Sequence, residues 1–255
     1  MKKIICFIAI VSSLQLNAQK DTSVYKPFTL ELGTSLISLP TGSFAGIGNN
    51  GGYAAKNLES IVLNNISVFL ELKYAPKTPI VTNILGLKST TIFAARISGF
   101  SVGFDTKSFD QNLSNSLPGV AFQSVAKDYR TLNFMVGFYD LYNITKKPRK
   151  FYFYDRIFLG ISNTNLPAIA TSANGLPLIN RSSGSATAFS FQYGIGIHKN
   201  FTKKFSAGVG IDYFYTRPVF KNIETRTSAG VSTYKDISAP ISILTTMSIS
   251  FGFKF

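Results

Sequence analysis

From Ile241 to the terminal Phe255 the chain alternates without a break. One parity reads Ile241, Ile243, Thr245, Met247, Ile249, Phe251, Phe253 and Phe255; the other reads Ser242, Leu244, Thr246, Ser248, Ser250, Gly252 and Lys254. Successive side chains of a strand point to opposite faces. The segment therefore predicts one almost wholly apolar face and one polar or small face. An ordinary strand runs to about 5 or 6 residues, so a pattern of this length excludes most soluble sheets.

The same period recurs upstream. Residues 66–74, 132–139, 189–198 and 205–216 each alternate apolar with polar or small residues, and strands at 28–38 and 151–164 fit less cleanly. One segment changes phase: Phe93, Ala95 and Ile97 share one parity, and Phe100, Val102 and Phe104 share the other. An extra residue near Ser98 and Gly99 restores the register, which predicts a β-bulge there. That makes eight strands. The gaps between them are long at 40–63, 105–128, 166–186 and 218–240, and shorter at 76–90, 143–150 and 199–204. A ten-stranded version arises if 219–237 contributes its own hairpin; the stretch is read here as an outward extension of strands seven and eight.

The first residues read as a signal peptide over 1–18. Lys2 and Lys3 precede an apolar stretch at 4–11, and Ala18 is a small residue before a cleavage point. That stretch is shorter than the roughly 20 residues a membrane helix needs. Cys6 lies inside it, which speaks against lipidation and leaves residues 19–255 free of cysteine. Hydrophobic residues make up 45% and charged residues 15%, against a typical ~25% charged. Without Lys2 and Lys3 the formal charge falls from +14 to +12. An exported chain seldom meets nucleic acid, so the charge points to acidic surfaces or polymers instead. No later segment offers a membrane helix, and closed strands are the remaining way across a bilayer.

The terminal strand, closing on an aromatic residue behind a signal segment, resembles the C-terminal sorting strand of outer-membrane barrels, with Met247, Ile249, Phe251, Phe253 and Phe255 as its apolar face. The layout resembles the small eight-stranded outer-membrane family that includes OmpX and the barrel of OmpA. Long outer loops, short periplasmic turns and an even strand number fit that pattern. The resemblance implies an all-β fold, a closed antiparallel up-and-down transmembrane barrel over 19–255, integral in the outer membrane. It implies outer-membrane lipid and the barrel-assembly machinery as partners, and a non-enzymatic surface or envelope role. Two alternatives stand beside it: a narrow channel for small solutes or hydrophobic compounds, and an accessory subunit of a larger secretion or assembly complex.

The three shorter gaps hold nine basic residues and no acidic one, whereas the four long gaps hold seven basic and six acidic. Lys146, Lys147, Arg149, Lys150, Lys199, Lys203 and Lys204 thus predict a basic periplasmic rim. Such a rim touches lipid headgroups or docks an acidic periplasmic partner. Inside the barrel, counting from the strand ends places Glu31, Glu71, Lys73, Arg96 and Arg156 at one depth and Asp212 higher. Opposite charges in a dry interior must pair. The expectation is that Glu31 and Glu71 meet Arg96 and Arg156, forming either a plug or a charged constriction.

No catalytic residue, metal site or cofactor is assigned. The lone histidine, His198, sits at a strand end without a serine and carboxylate arrangement that the sequence can show. One histidine without cysteine is a poor start for a metal site. Gly46, Gly48 and Gly51 match a dinucleotide fingerprint in letters alone, because Asn49, Asn50 and Gly52 continue a loop rather than open a helix.

Overall fold

A computed structural model describes residues 27–38, 66–84, 87–104, 106–143, 151–238 and 241–255. The stretch 1–18 read as a signal peptide and the gap at 40–63 lie outside them. The alternating segments form strands, in order β1 (Phe28–Ser38), β2 (Ile66–Tyr74), β3 (Ile80–Ile84), β4 (Leu87–Val102), β5 (Phe122–Ala126), β6 (Tyr129–Asn143), β7 (Phe151–Leu166), β8 (Ile169–Ala173), β9 (Leu176–Arg181), β10 (Gly184–Asn200), β11 (Phe205–Thr216), β12 (Val219–Thr227), β13 (Gly230–Ser238) and β14 (Ile241–Lys254). One helix, α1 (Thr106–Ser116), lies between β4 and β5.

Eight of these strands form a ring. β1 pairs with β2, β2 with β4, β4 with β6, β6 with β7, β7 with β10, β10 with β11, β11 with β14, and β14 returns to β1, every pair antiparallel. The seam ends in two backbone bonds, Phe28 N–H to Phe255 O at 3.4 Å and Phe255 N–H to Phe28 O at 3.0 Å. No ring strand keeps an unpaired edge, which is what hydrocarbon requires of a sheet. The outward parity is apolar and exposed: Leu30, Leu70, Ile97, Phe134, Leu159, Ile195, Val209 and Phe251 all face away from the lumen. Phe28 lies 5.4 Å from Tyr74 and 6.0 Å from Phe255 between ring centroids, an aromatic belt at the end that carries the short turns.

The expected bulge at Ser98 and Gly99 is absent. β4 runs in unbroken register against β2 and β6, from Ser67 opposite Phe100 to Tyr74 opposite Phe93, and from Val102 opposite Tyr129 to Ser89 opposite Tyr142. Phe100 and Val102 share the inward parity of Arg96 and are buried. The phase change has another cause: the lumen is polar near the short turns and apolar at the opposite end, so an inward row switches from charged to aromatic without any shift.

The irregularity lies on the terminal strand instead. Leu36 stands opposite Met247 and Ile37 opposite Thr245, so β14 carries an extra residue there. Met247, Phe251, Phe253 and Phe255 are exposed on the outer face, whereas Ile241, Ile243 and Thr245 turn inward and are buried. The single apolar face read over 241–255 is thus two faces joined by a bulge. Apolar side chains suit both sides because the upper lumen is itself apolar.

The long gaps hold structure that the alternation does not reveal. β5, β8, β9, β12 and β13 form a second sheet in the order β13-β12-β9-β8-β5. Residues 219–237 extend the seventh and eighth ring strands outward, as read from the sequence: β12 pairs with β13 in the register of the β11–β14 pair, with Thr216 opposite Ile241 and Val219 opposite Ser238, and β12 also joins β9 through Thr225–Thr227. Pro218 sits at the break between β11 and β12 and has no N–H to donate to a ladder. β8 turns into β9 through Asn174 and Gly175, both at positive φ (48° and 81°), as tight hairpin turns demand. The gap at 76–90 is not a plain turn either, since β3 pairs back on the start of β4. The ring itself stays at eight.

Candidate functional site: the charged lumen

The sequence-predicted charges meet in one layer. Glu31 on β1, Glu71 and Lys73 on β2, Arg96 on β4, Arg156 on β7 and Asp212 on β11 are all buried. Lys73 Nζ donates to Glu31 Oε2 at 2.6 Å and lies 3.4 Å from Glu71 Oε1. Glu71 Oε2 is 3.6 Å from Arg96 NH1 and 3.8 Å from Arg156 NH1. Arg156 grips Asp212 with two bonds, Nε to Oδ1 at 2.8 Å and NH2 to Oδ2 at 2.5 Å. Three carboxylates face three cations, so the layer is formally neutral. Neutrality is what a low-dielectric interior demands.

Glu71 lies beside Arg96 and Arg156 as expected; Glu31 instead takes Lys73 rather than an arginine, and the two direct bonds of Arg156 go to Asp212. Gly194 on β10 is the register partner of both Arg156 and Asp212, so the three stand in one row across the sheet. Gly194 also supplies the room: a Cβ there would fall 2.1 Å from Asp212 Oδ1 and 2.8 Å from Arg156 Nε.

Two members of the layer escape the sequence reading. Tyr139 donates its hydroxyl proton to Glu71 Oε1 at 2.5 Å and accepts from Arg156 NH1 at 2.6 Å, joining the two halves. Phe69 carries the Arg96 guanidinium 3.9 Å above its ring. Both lie on inward parities legible from alternation, but a search for charge passes over neutral side chains.

Beyond the charges the lumen is filled in two further steps. A hydroxyl belt includes the Ser162–Thr216 bond at 2.8 Å and the Thr131–Thr164 bond at 3.2 Å. Farther from the short turns, Phe100, Val102, Phe214, Ile241 and Ile243 form an apolar cluster. α1 contributes Phe109 to it, edge-on to Phe104 at 5.5 Å. Asp110 Oδ2 accepts the Ser124 N–H at 3.0 Å, tying the helix to the second sheet.

Of the basic rim, Lys199 is next to last in β10 and lies 5.3 Å from the Phe201 ring, and Lys203 and Lys204 follow in the turn before β11. Lys146, Lys147, Arg149 and Lys150 lie outside the described residues. Among the described residues no group of three or more His, Cys, Asp or Glu side chains could hold a metal ion, and no helix is long and apolar enough to cross a membrane.

Neither protein-family models nor curated proteins match the sequence. Solved structures do. A major outer membrane protein from Thermus thermophilus aligns with a TM-score of 0.52 at 9% identity, covering 91% of this chain and 100% of that one. The chain has the fold of an outer-membrane β-barrel. The attachment invasion locus protein Ail of Yersinia pestis aligns at a TM-score of 0.44 and 13% identity, over 91% of this chain and 100% of its own. Neisserial surface protein A aligns at 0.40 and 12%, over 89% and 97%. At such identities the likeness is one of fold. The barrel described here carries a five-stranded sheet and a helix at the end opposite its short turns.

Proposed function

We propose that this barrel is a non-enzymatic envelope protein, exported by a cleaved signal peptide and integral in the outer membrane, that works through its outer surface. Its lumen is a plug. The observation that carries the reading is the filling of the lumen by a neutral ionic layer, a hydroxyl belt and an apolar cluster in series. A through-channel needs a continuous hydrated path, and these three layers oppose one. The second sheet then becomes the surface available to partners. The short-turn end, with Lys199, Lys203 and Lys204, faces the periplasm in this reading and rests against anionic headgroups.

Orientation is the testable core. Residues 19–255 contain no cysteine, so a single introduced thiol reports its own side of the membrane. Lys221→Cys on β12 should react with a membrane-impermeant maleimide in intact cells, and Lys203→Cys should react only after the envelope is opened. Labelling at position 203 in intact cells would invert the barrel and remove the second sheet from the cell surface. A stable stoichiometric companion after gentle extraction would favour the accessory-subunit reading instead.

A further inference from the structure

We infer that the lumen holds one buried water molecule bound by Arg96, Asn133 and Ser35, just beyond the ionic layer. A cavity of about 20 Å³ lies there, with polar lining from Ser35, Arg96, Ser98, Asn133, Gln192 and Asp212. Arg96 Nε and NH1, Asn133 Oδ1 and Ser35 Oγ are buried and have no hydrogen-bond partner among the described residues. Asn133 Nδ2 donates to Ser98 Oγ at 3.1 Å, which fixes the amide and leaves its oxygen as the acceptor on offer. Donors and acceptors thus converge on one small space.

The chemistry selects the occupant. Space of about 10–15 Å³ suffices for one water, which needs two to four polar partners; both conditions are met. A phosphate, sulfate or carboxylate is too large. A halide would face Asp212 and add a negative charge to a layer already neutral, and a cation would face Arg96. An uncompensated buried charge costs far more than a buried neutral molecule. Water is neutral, accepts from the guanidinium and donates to the asparagine oxygen. Arg96 is therefore the hydrated member of the layer, unlike Arg156, whose Nε and NH2 are both committed to Asp212.

A crystal structure resolving ordered solvent, from crystals grown in bromide, tests this directly. The expected result is one water peak within ~2.7–3.2 Å of Arg96 and of Asn133, with no anomalous bromide signal. A bromide peak overturns the ligand class. Arg96 bonded directly to Asn133 or Ser35 overturns the site, and a file of waters crossing the layer overturns its enclosure. In solution, the Asn133 side-chain amide should show a cross-peak to a long-lived water that disappears in Arg96→Met and weakens in Ser35→Ala. Should Arg96→Met fail to fold, Ser35→Ala alone decides. A cross-peak unchanged in every folded variant means that these groups do not hold the water.

Discussion

Replacing Arg156 by alanine is expected to destabilise the barrel by about 3–5 kcal/mol, the cost of leaving a buried charge without its partner. The guanidinium makes two bonds to Asp212 and one to Tyr139, and it lies near Glu71. Its loss takes the ion pair from Asp212 and weakens the support of Glu71. Arg96→Ala should cost clearly less, because that guanidinium has an ion pair at 3.6 Å and a ring beneath it, with Nε and NH1 unbonded to protein. The double variant Arg156→Met, Asp212→Leu should recover most of the loss, since replacing a buried pair with apolar side chains is often neutral or favourable. Urea midpoints in detergent and the temperature at which the folded gel band disappears read all three. Equal effects of Arg156→Ala and Arg96→Ala would mean that water screens the whole layer.

The second large effect concerns assembly. Deleting Phe255 should reduce the amount of folded barrel in the outer membrane many-fold. The residue closes the ring through both backbone bonds to Phe28 and stacks on its ring. Met247, Ile249, Phe251, Phe253 and Phe255 are proposed as the face that the assembly machinery reads. Deleting Gly175 at the tip of the β8–β9 hairpin leaves that seam untouched and serves as the control. Membrane yields and protease resistance compare the two; equal yields would refute a sorting role for the terminal strand.

Much of this fold is legible because period-two alternation reports a half-apolar strand directly. Strands around 66–74, 132–139, 189–198 and 205–216 lie where the pattern puts them, with Leu70, Phe134, Ile195 and Val209 outward. The pattern misleads where the lumen stops being polar. Phe100 and Ile243 are inward, yet their apolar character reads as outward when the interior is taken to be polar throughout. Hence alternation places a bulge in β4, where there is none, and overlooks the one in β14. The second sheet is hidden for a different reason. Outside 219–237, which reads as an extension of two ring strands, its strands are short and read as loops, although Asn174-Gly175 is a strong turn signal. The charged residues of the lumen are visible as inward parities, but their pairing is not. Pairing depends on stagger around the ring, which a single strand does not encode, and on Gly194, whose contribution is the side chain it lacks.

A lumen closed by these layers carries no current, and conductance across planar bilayers tests that closure. Purified wild-type barrel, inserted and verified as folded, should give no steady current at any polarity, and Arg156→Ala should give at most brief, irregular openings. A steady, reproducible wild-type conductance, accompanied by an Arg156→Ala variant of undiminished stability and altered ion selectivity, would contradict the plug and make the charged layer the constriction of a channel.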